Sequence, residues 1–239
     1  MLLQAALNGE LTKAAHPAVP VSAEELARDA AACVAAGAGA IHLHARDAGG
    51  RERLDAEVVD AVVARVRGAC GVPVGVSTGE WIEPNPRRRA ELVGAWTAPD
   101  YATVNLSEPG AVKVMRALLS AGVGIEAGVW SVADAECLVA SGLGDRVTRV
   151  LVEPVDVGAD SAVDVVAEIH AALDDLGVDA PRLQHGDGEA TWVLLRDAIA
   201  RGIDTRIGLE DTFEDPDGGR TAGNAALVGA ARRLGAGSG

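Results

Sequence analysis

Two histidines separated by a single residue are the first feature of this sequence that could bind a metal ion. His42 and His44 lie in the apolar run AIHLHAR (40–46), whose residue types are typical of a β-strand. Side chains alternate along a strand, so both imidazoles share one face with their Cα atoms about 6–7 Å apart, within reach of one ion. Two hydrogen-bonded core histidines would give the same pattern, and the spacing alone leaves both interpretations open.

A carboxylate that could complete such a site lies near the other end of the chain. In the run TRIGLED (205–211), Arg206 and Glu210 fall on the same face of a predicted strand. Two histidines and one carboxylate leave a tetrahedral zinc ion with one open position, as a catalytic site requires. Alternatively, Arg206 forms a salt bridge with an acid and the run has only a structural role. Taken alone, the run TRIGLED favours the salt bridge over the metal site.

Other polar residues interrupt or end predicted apolar strands, where a buried polar group is costly unless it is paired or functional. Glu126 lies between Ile125 and Ala127, so we count it as a candidate catalytic carboxylate. Further candidates for contacts with a substrate, each with an alternative role as a capping or turn residue, are Asn8, Ser77, Thr78, Thr103 and Asn105.

These residues must be positioned by a repeated alternation of short β-type runs and amphipathic stretches of helical length. We predict strands at 2–8, 40–46, 72–78, 101–107, 123–129, 147–153, 182–186 and 205–211. We predict helices at 22–36, 55–67, 86–95, 110–121, 131–141, 161–176, 189–201 and 221–235. Such alternation indicates a parallel sheet, and the number of units is enough to close a (β/α)₈ TIM barrel.

An open doubly wound sheet is the weaker alternative, because no G-x-G-x-x-G follows the first predicted strand. In a barrel, the carboxyl ends of the strands form one face, so the candidate residues would converge there. We expect residues 1–239 to form a single barrel domain with a loose tail at GAGSG (235–239).

Composition narrows the classes of partner. The formal net charge of -14 argues against a nucleic-acid-binding protein and against anionic membrane surfaces. Three widely spaced cysteines form neither a disulfide framework nor a cysteine-based zinc site, and the first residues lack the pattern of a signal peptide. No apolar run reaches the roughly 18 residues that a membrane span needs. We therefore expect a cytoplasmic protein that acts on small molecules.

Five segments, taken in chain order, resemble the β-keto acid cleavage enzymes. They are 6–22, 39–55, 76–79, 125–130 and 206–228, and the combination of HLHARD with RIGLED is specific. The resemblance implies a zinc-dependent (β/α)₈ barrel, usually a homotetramer. It also implies an acyltransferase that condenses a β-keto acid with acetyl-CoA to give acetoacetate and a new acyl-CoA.

The resemblance also implies roles for individual residues. His42, His44 and Glu210 would be the zinc ligands, and Arg206 with Asp211 would form the charged pair that activates the substrate. Glu126 matches the family's carboxylate on the fifth strand. The family's hydroxyl on the third strand falls on Ser77 or Thr78, while Thr103 and Asn105 match positions that contact the substrate.

Two other functions compete with this hypothesis. An amidohydrolase-type zinc hydrolase also carries H-x-H at a strand end and an Asp after the eighth strand. Its H-x-H belongs on the first strand, however, and the fifth and sixth predicted strands here supply no further histidine. A non-enzymatic metal-binding protein is disfavoured by the number of polar residues at strand ends.

Overall fold

The eight predicted strands form one closed parallel barrel in the computed structural model, which describes residues 1–237. The strands pair in chain order, and the last one pairs with the first. The strands are β1 (Leu3–Ala6), β2 (Ala40–Leu43), β3 (Val74–Ser77), β4 (Tyr101–Asn105), β5 (Gly124–Val129), β6 (Arg149–Val152), β7 (Arg182–Gln184) and β8 (Asp204–Ile207). The predicted (β/α)₈ fold is confirmed.

A helix follows each strand, and the helices surround the barrel. The helices are α1 (Ala23–Ala36), α2 (Ala56–Cys70), α3 (Pro86–Val93), α4 (Ala111–Ala121), α5 (Val132–Ala140), α6 (Ala159–Asp175), α7 (Thr191–Arg201) and α8 (Asn224–Leu234). Helix α2 shows why they pack: its buried Val59, Val62, Val63 and Val66 recur at helical spacing and form one apolar face. Burying each such valine stabilises the fold by roughly 1.5–3 kcal/mol.

Except for β5, which ends at Val129 as predicted, the observed strands are shorter than predicted at their carboxyl ends. Strand β2 ends at Leu43, because the amide of His44 donates to Asn8 Oδ1 at 2.9 Å. Strand β8 ends at Ile207, because the next residues form a turn. The residues nearest the candidate site are therefore held by loops and side-chain hydrogen bonds, and strand alternation does not govern them.

The carboxyl terminus differs from the predicted loose tail within the described residues. Gly235 ends α8 in the left-handed conformation, and the buried Ala236 donates its amide to the carbonyl of Ala231 at 3.0 Å. Residues 238 and 239 of the predicted tail lie outside the described residues. Among the helices of residues 1–237, none combines the length and the apolar character needed to cross a bilayer.

Candidate active site

A cavity of about 310 Å³ opens at the carboxyl ends of the strands, where (β/α)₈ enzymes carry their active sites. Its wall combines titratable groups with indole and aliphatic side chains. The lining residues that the sequence predicted are His42, His44, Ser77, Thr103, Asn105, Arg206, Glu210 and Asp211.

Three of these residues converge as a potential metal site. His42 Nε2 and His44 Nε2 each lie 3.6 Å from Glu210 Oε1, and the three ligand atoms lie within 4.8 Å of one another. Two ligand atoms that bind a tetrahedral zinc ion at ~2.1 Å are ~3.4 Å apart. The donor set and its spacing therefore fit a zinc ion with one position left for a substrate or water.

The second nitrogen of each imidazole faces an oxygen. His44 Nδ1 lies 3.1 Å from Glu52 Oε2. His42 Nδ1 lies 3.4 Å from Thr103 Oγ1, which in turn donates to Glu126 Oε2 at 3.0 Å. Such partners fix which nitrogen carries the proton and leave Nε2 free for a metal.

A turn after β8 positions the carboxylates of Glu210 and Asp211 beside Arg206. The amides of Asp211 and Thr212 both donate to the carbonyl of Gly208, and a Cβ at Gly208 would lie 1.8 Å from the carbonyl oxygen of Ala6. Only glycine fits there, because the backbones of β8 and β1 approach closely at the turn.

Arg206 consequently binds both acids. Its Nη2 donates to Glu210 Oε1 at 2.8 Å and to Asp211 Oδ1 at 2.7 Å. In a strand that continued to 211, the side chains of Glu210 and Asp211 would lie on opposite faces. The turn, rather than the predicted alternation, therefore creates the charged pair beside the metal site.

Burial and charge shift the pKa values of the ligands in opposite directions. Burial lowers the pKa of His42 to about 3, a shift that the carboxylate of Glu210 opposes. Burial also acts to lower the pKa of His44, but Glu210 and Glu52 outweigh it and raise that pKa to about 9. A metal ion binds neutral imidazole, so its binding at His44 releases a proton.

Arg206 and Asp211 also influence each other. Burial raises the pKa of Asp211 although the guanidinium of Arg206 opposes the shift. The two acids beside Arg206 raise its pKa well above the ordinary value despite the burial of the guanidinium. A carboxylate with a raised pKa is a stronger base, and one held by a fixed cation keeps its orientation.

Two predicted residues lie beside the cavity rather than in its wall. Thr78 donates its hydroxyl to the carbonyl of Thr103 at 2.7 Å, whereas Ser77 lines the cavity. Asn8 holds the backbone of His44 through both of its amide atoms and is not among the residues that line the cavity.

Glu126 lies deeper in the barrel, below the metal site. Its carboxylate accepts a hydrogen bond from Gln4 Nε2 at 2.8 Å and lies 3.2 Å from Arg149 Nε. Burial raises the pKa of Glu126, and Arg149 opposes this shift. From this position Glu126 reaches the ligand His42 only through Thr103.

The sequence analysis missed two features of the site. Glu52 returns to His44 because the segment after β2 folds back on itself, with an antiparallel bridge between Arg46 and Glu52. The pair Gly49-Gly50 is a turn signal that could have indicated this return.

His185 is the second missed feature. The buried ring lies between two acids, with Nε2 at 3.4 Å from Glu153 Oε1 and Nδ1 at 3.6 Å from Asp211 Oδ1. Glu153 and Asp211 raise the pKa of His185 against the effect of burial. The motif His-Gly-Asp at the end of the seventh predicted strand (182–186) was the available signal.

Known proteins resemble this chain in sequence and in fold. The 3-keto-5-aminohexanoate cleavage enzyme of Fusobacterium nucleatum subsp. nucleatum is 40% identical over 81 residues, which are 33% of this chain and 30% of that enzyme. The apo structure of ObcA has a TM-score of 0.72 at 17% identity and covers 91% of this chain. The ternary complex of ObcA with a C4-CoA adduct and oxalate has a TM-score of 0.69, also at 17% identity and 91% coverage.

The chain spans less than two thirds of ObcA, namely 61% of the apo structure and 63% of the ternary complex. The family model described as beta-keto acid cleavage enzyme matches residues 1–239. Because this match extends over the full sequence, the chain belongs to the beta-keto acid cleavage enzyme family.

Proposed function

We propose that this chain is a zinc-dependent acyltransferase that condenses a β-keto acid with acetyl-CoA and releases acetoacetate and a new acyl-CoA. One observation carries the proposal. In a member of this family, the donor atoms of His42, His44 and Glu210 converge in the same cavity as the Arg206–Asp211 pair. The open ligand position and the adjacent base are what proton removal next to a ketone requires.

Zinc, when bound to this triad, would supply Lewis-acid polarisation of the keto oxygen. Asp211 is the base in this proposal, because its buried carboxylate has a raised pKa and lines the cavity. Arg206 holds that carboxylate through Nε and Nη2 at 3.1 and 2.7 Å. Holding the base in one orientation lowers the entropy cost of proton removal.

The reaction conserves atoms and protons. Asp211 takes a proton from the carbon between the ketone and the carboxylate of the β-keto acid, and the resulting carbanion attacks the thioester carbon of acetyl-CoA. The CoA thiolate leaves and then attacks the original keto carbon. Cleavage of the adjacent carbon–carbon bond releases acyl-CoA and the acetoacetate carbanion, which recovers the proton from Asp211.

ObcA, whose fold is similar, forms a ternary complex with a C4-CoA adduct and oxalate, which supports a CoA thioester as a substrate of this chain. Acetyl-CoA as the co-substrate of this chain rests on the family resemblance. A homotetramer, which the family resemblance implies, is also a proposal, as are the cytoplasmic location and the single domain over residues 1–239 that the sequence predicts.

A direct assay tests the proposed reaction. Purified protein is loaded with zinc and incubated with a panel of β-keto acids, with and without acetyl-CoA, while acetoacetate and acyl-CoA are quantified. We expect the two products in equal amounts and only when acetyl-CoA is present. Turnover without any thioester would instead indicate a hydrolase.

The variant Asp211→Asn tests the proposed base independently of the metal site. We expect this variant to retain zinc and to lose activity by about 10²–10⁴-fold, the usual contribution of a general base. Asp217→Asn, an equivalent change at an exposed position after the same turn, is the control and should keep the wild-type rate. An unchanged rate in Asp211→Asn would exclude Asp211 as the base.

A further inference from the structure

The carboxylate of Glu52 lies behind His44, on the side of the ring opposite the candidate metal position. Its Oε2 is 3.1 Å from His44 Nδ1, whereas His44 Nε2 faces Glu210. Glu52 is therefore placed to accept a hydrogen bond from His44 without being a metal ligand itself. Its side chain is 11% exposed, which limits competition from water for that bond.

Trp81 completes the outer side of this arrangement. Its indole N–H donates to Glu52 Oε2 at 3.0 Å, and its ring stacks on His44 with centroids 5.9 Å apart and planes at 22°. A Cβ at Gly79 would lie 2.2 Å from the Trp81 ring, so the glycine leaves room for the indole. Trp81 thus contacts both the imidazole of His44 and the carboxylate of Glu52 that orients this imidazole.

Arg46 holds the other oxygen of Glu52. Its Nη2 lies 3.4 Å from Glu52 Oε1 and donates to the carbonyls of Gly9 and Leu11 at 2.8 Å each. The guanidinium is buried and anchored to the loop after β1. Glu52 is therefore fixed by His44, Trp81 and Arg46 together, and its position does not depend on the metal.

We propose that Glu52 is a positioning residue for metal binding, and that Trp81 holds it in place. The carboxylate keeps the proton of His44 on Nδ1, so that the Nε2 lone pair faces the ion, and makes the imidazole a stronger ligand. The inference rests on the proposed zinc site, but it concerns metal affinity and does not require the proposed reaction.

Zinc affinity, measured by competition with a chromogenic chelator, tests this role directly. We compare wild type with Glu52→Gln, Glu52→Ala and Trp81→Phe. Glu57→Gln, the same change at an exposed position in the following helix, is the matched control. Melting temperatures of the metal-free proteins are recorded in parallel.

We expect Glu52→Gln to weaken zinc binding by about 10–100-fold, as is typical for a residue that orients a ligand. Glu52→Ala should weaken it further, because the amide of glutamine still offers an acceptor. Trp81→Phe keeps an aromatic ring but removes the N–H together with part of the indole, and we expect a loss of about 5-fold, which is mainly the net value of one hydrogen bond. Glu57→Gln should bind zinc as wild type does.

The outcomes separate this inference from the proposed function. If wild type binds zinc and both Glu52 variants bind it equally well, the positioning role is wrong while the metal site stands. If the variants lose affinity only together with a large fall in the melting temperature of the metal-free protein, Glu52 is structural and the inference is wrong. If wild type binds no zinc, both the zinc-dependent function and this inference fail.

Discussion

The two imidazoles of the candidate metal site are supported from different environments. His42 is supported from inside the barrel, through Thr103 on β4 and Glu126 on β5. His44 is supported from the loops after β2 and β3, through Glu52 and Trp81. Trp81 is 48% exposed, whereas Glu126 is fully buried. The inner support is part of the core, and the outer support lies beside solvent.

Because of this difference, we expect changes in the inner support to lower the stability of the fold and changes in the outer support to lower mainly the metal affinity. A change in the inner support breaks a buried ion pair and a hydrogen-bond network that spans several strands, so the fold loses stability along with the ligand geometry. A change in the outer support affects a loop and a partly exposed indole, so it alters the ligand with little effect on the core.

The largest effect is expected at Glu126. Glu126→Gln leaves Arg149 without its charged partner inside the barrel, and we expect a loss of about 3–5 kcal/mol in the free energy of unfolding. Urea denaturation of the metal-free protein measures it. The double variant Glu126→Gln with Arg149→Met should recover part of the loss, because no uncompensated charge remains. A loss below ~1 kcal/mol in the single variant would contradict the proposed importance of the inner support.

His44→Ala removes a ligand rather than its support. We expect zinc affinity to fall by more than about 100-fold, beyond the usual effect of an orienting residue, which corresponds to over ~2.7 kcal/mol of binding free energy. The fold should persist, because His44 lies beyond the end of β2. Metal analysis and circular dichroism check both points, and full zinc occupancy would remove His44 from the ligand set.

Thr103→Val tests the link between the inner support and His42. The hydroxyl donates to Glu126 and faces His42 Nδ1, so its loss should lower the free energy of unfolding by about 1–2 kcal/mol. Zinc affinity should fall in parallel. Thr103→Ser keeps the hydroxyl and should bind zinc as wild type does. Wild-type affinity in Thr103→Val together with a loss in Thr103→Ser would show that the methyl group, and not the hydroxyl, is important.

The smallest effects distinguish the neighbouring hydroxyls Ser77 and Thr78. Thr78→Val removes a buried hydrogen bond to the carbonyl of Thr103 and should cost about 1 kcal/mol of stability. Ser77→Ala, at the cavity wall, should change stability by less than ~0.5 kcal/mol and instead alter KM or kcat. Thermal unfolding and steady-state kinetics on both variants check this assignment, and the reverse pattern would exchange the two roles.

Local sequence patterns predicted a large part of this molecule. The predicted helix at 22–36 begins at the capping box of Ser22 and Glu25 and ends before Gly37, and both signals depend only on nearby residues. The spacing of His42 and His44 indicated that both imidazoles could reach one ion, and both Nε2 atoms do lie 3.6 Å from Glu210 Oε1, although His44 lies beyond the end of β2. These signals succeed because strand alternation and helix capping are determined within a few residues.

Tertiary structure decided the features that depend on residues far apart in the chain. Strand alternation predicted that Glu210 lies on the same face as Arg206 and could complete the histidine site. The turn at Gly208, however, is what brings the carboxylates of both Glu210 and Asp211 within hydrogen-bond distance of Arg206. Glu52 was missed because it belongs to no strand pattern. His185 ends the seventh predicted strand, but nothing in the sequence linked it to Glu153 and Asp211, which flank it in the structure. The sequence correctly predicted that Glu126 lies buried on the fifth strand. Its depth below the cavity could not be predicted, because this depth depends on the stagger of neighbouring strands.

The sequence by itself determined the alternation of strands and helices, the two candidate histidine ligands and the family to which the chain belongs. The tertiary structure decided which oxygen supports each imidazole, through the fold-back that brings Glu52 to His44 and the barrel that brings Thr103 to His42, and it decided which hydroxyl lines the cavity. The physical reason is range: hydrophobic periodicity and capping are local, whereas hydrogen bonds between side chains on different strands and loops exist only once the chain has brought them together.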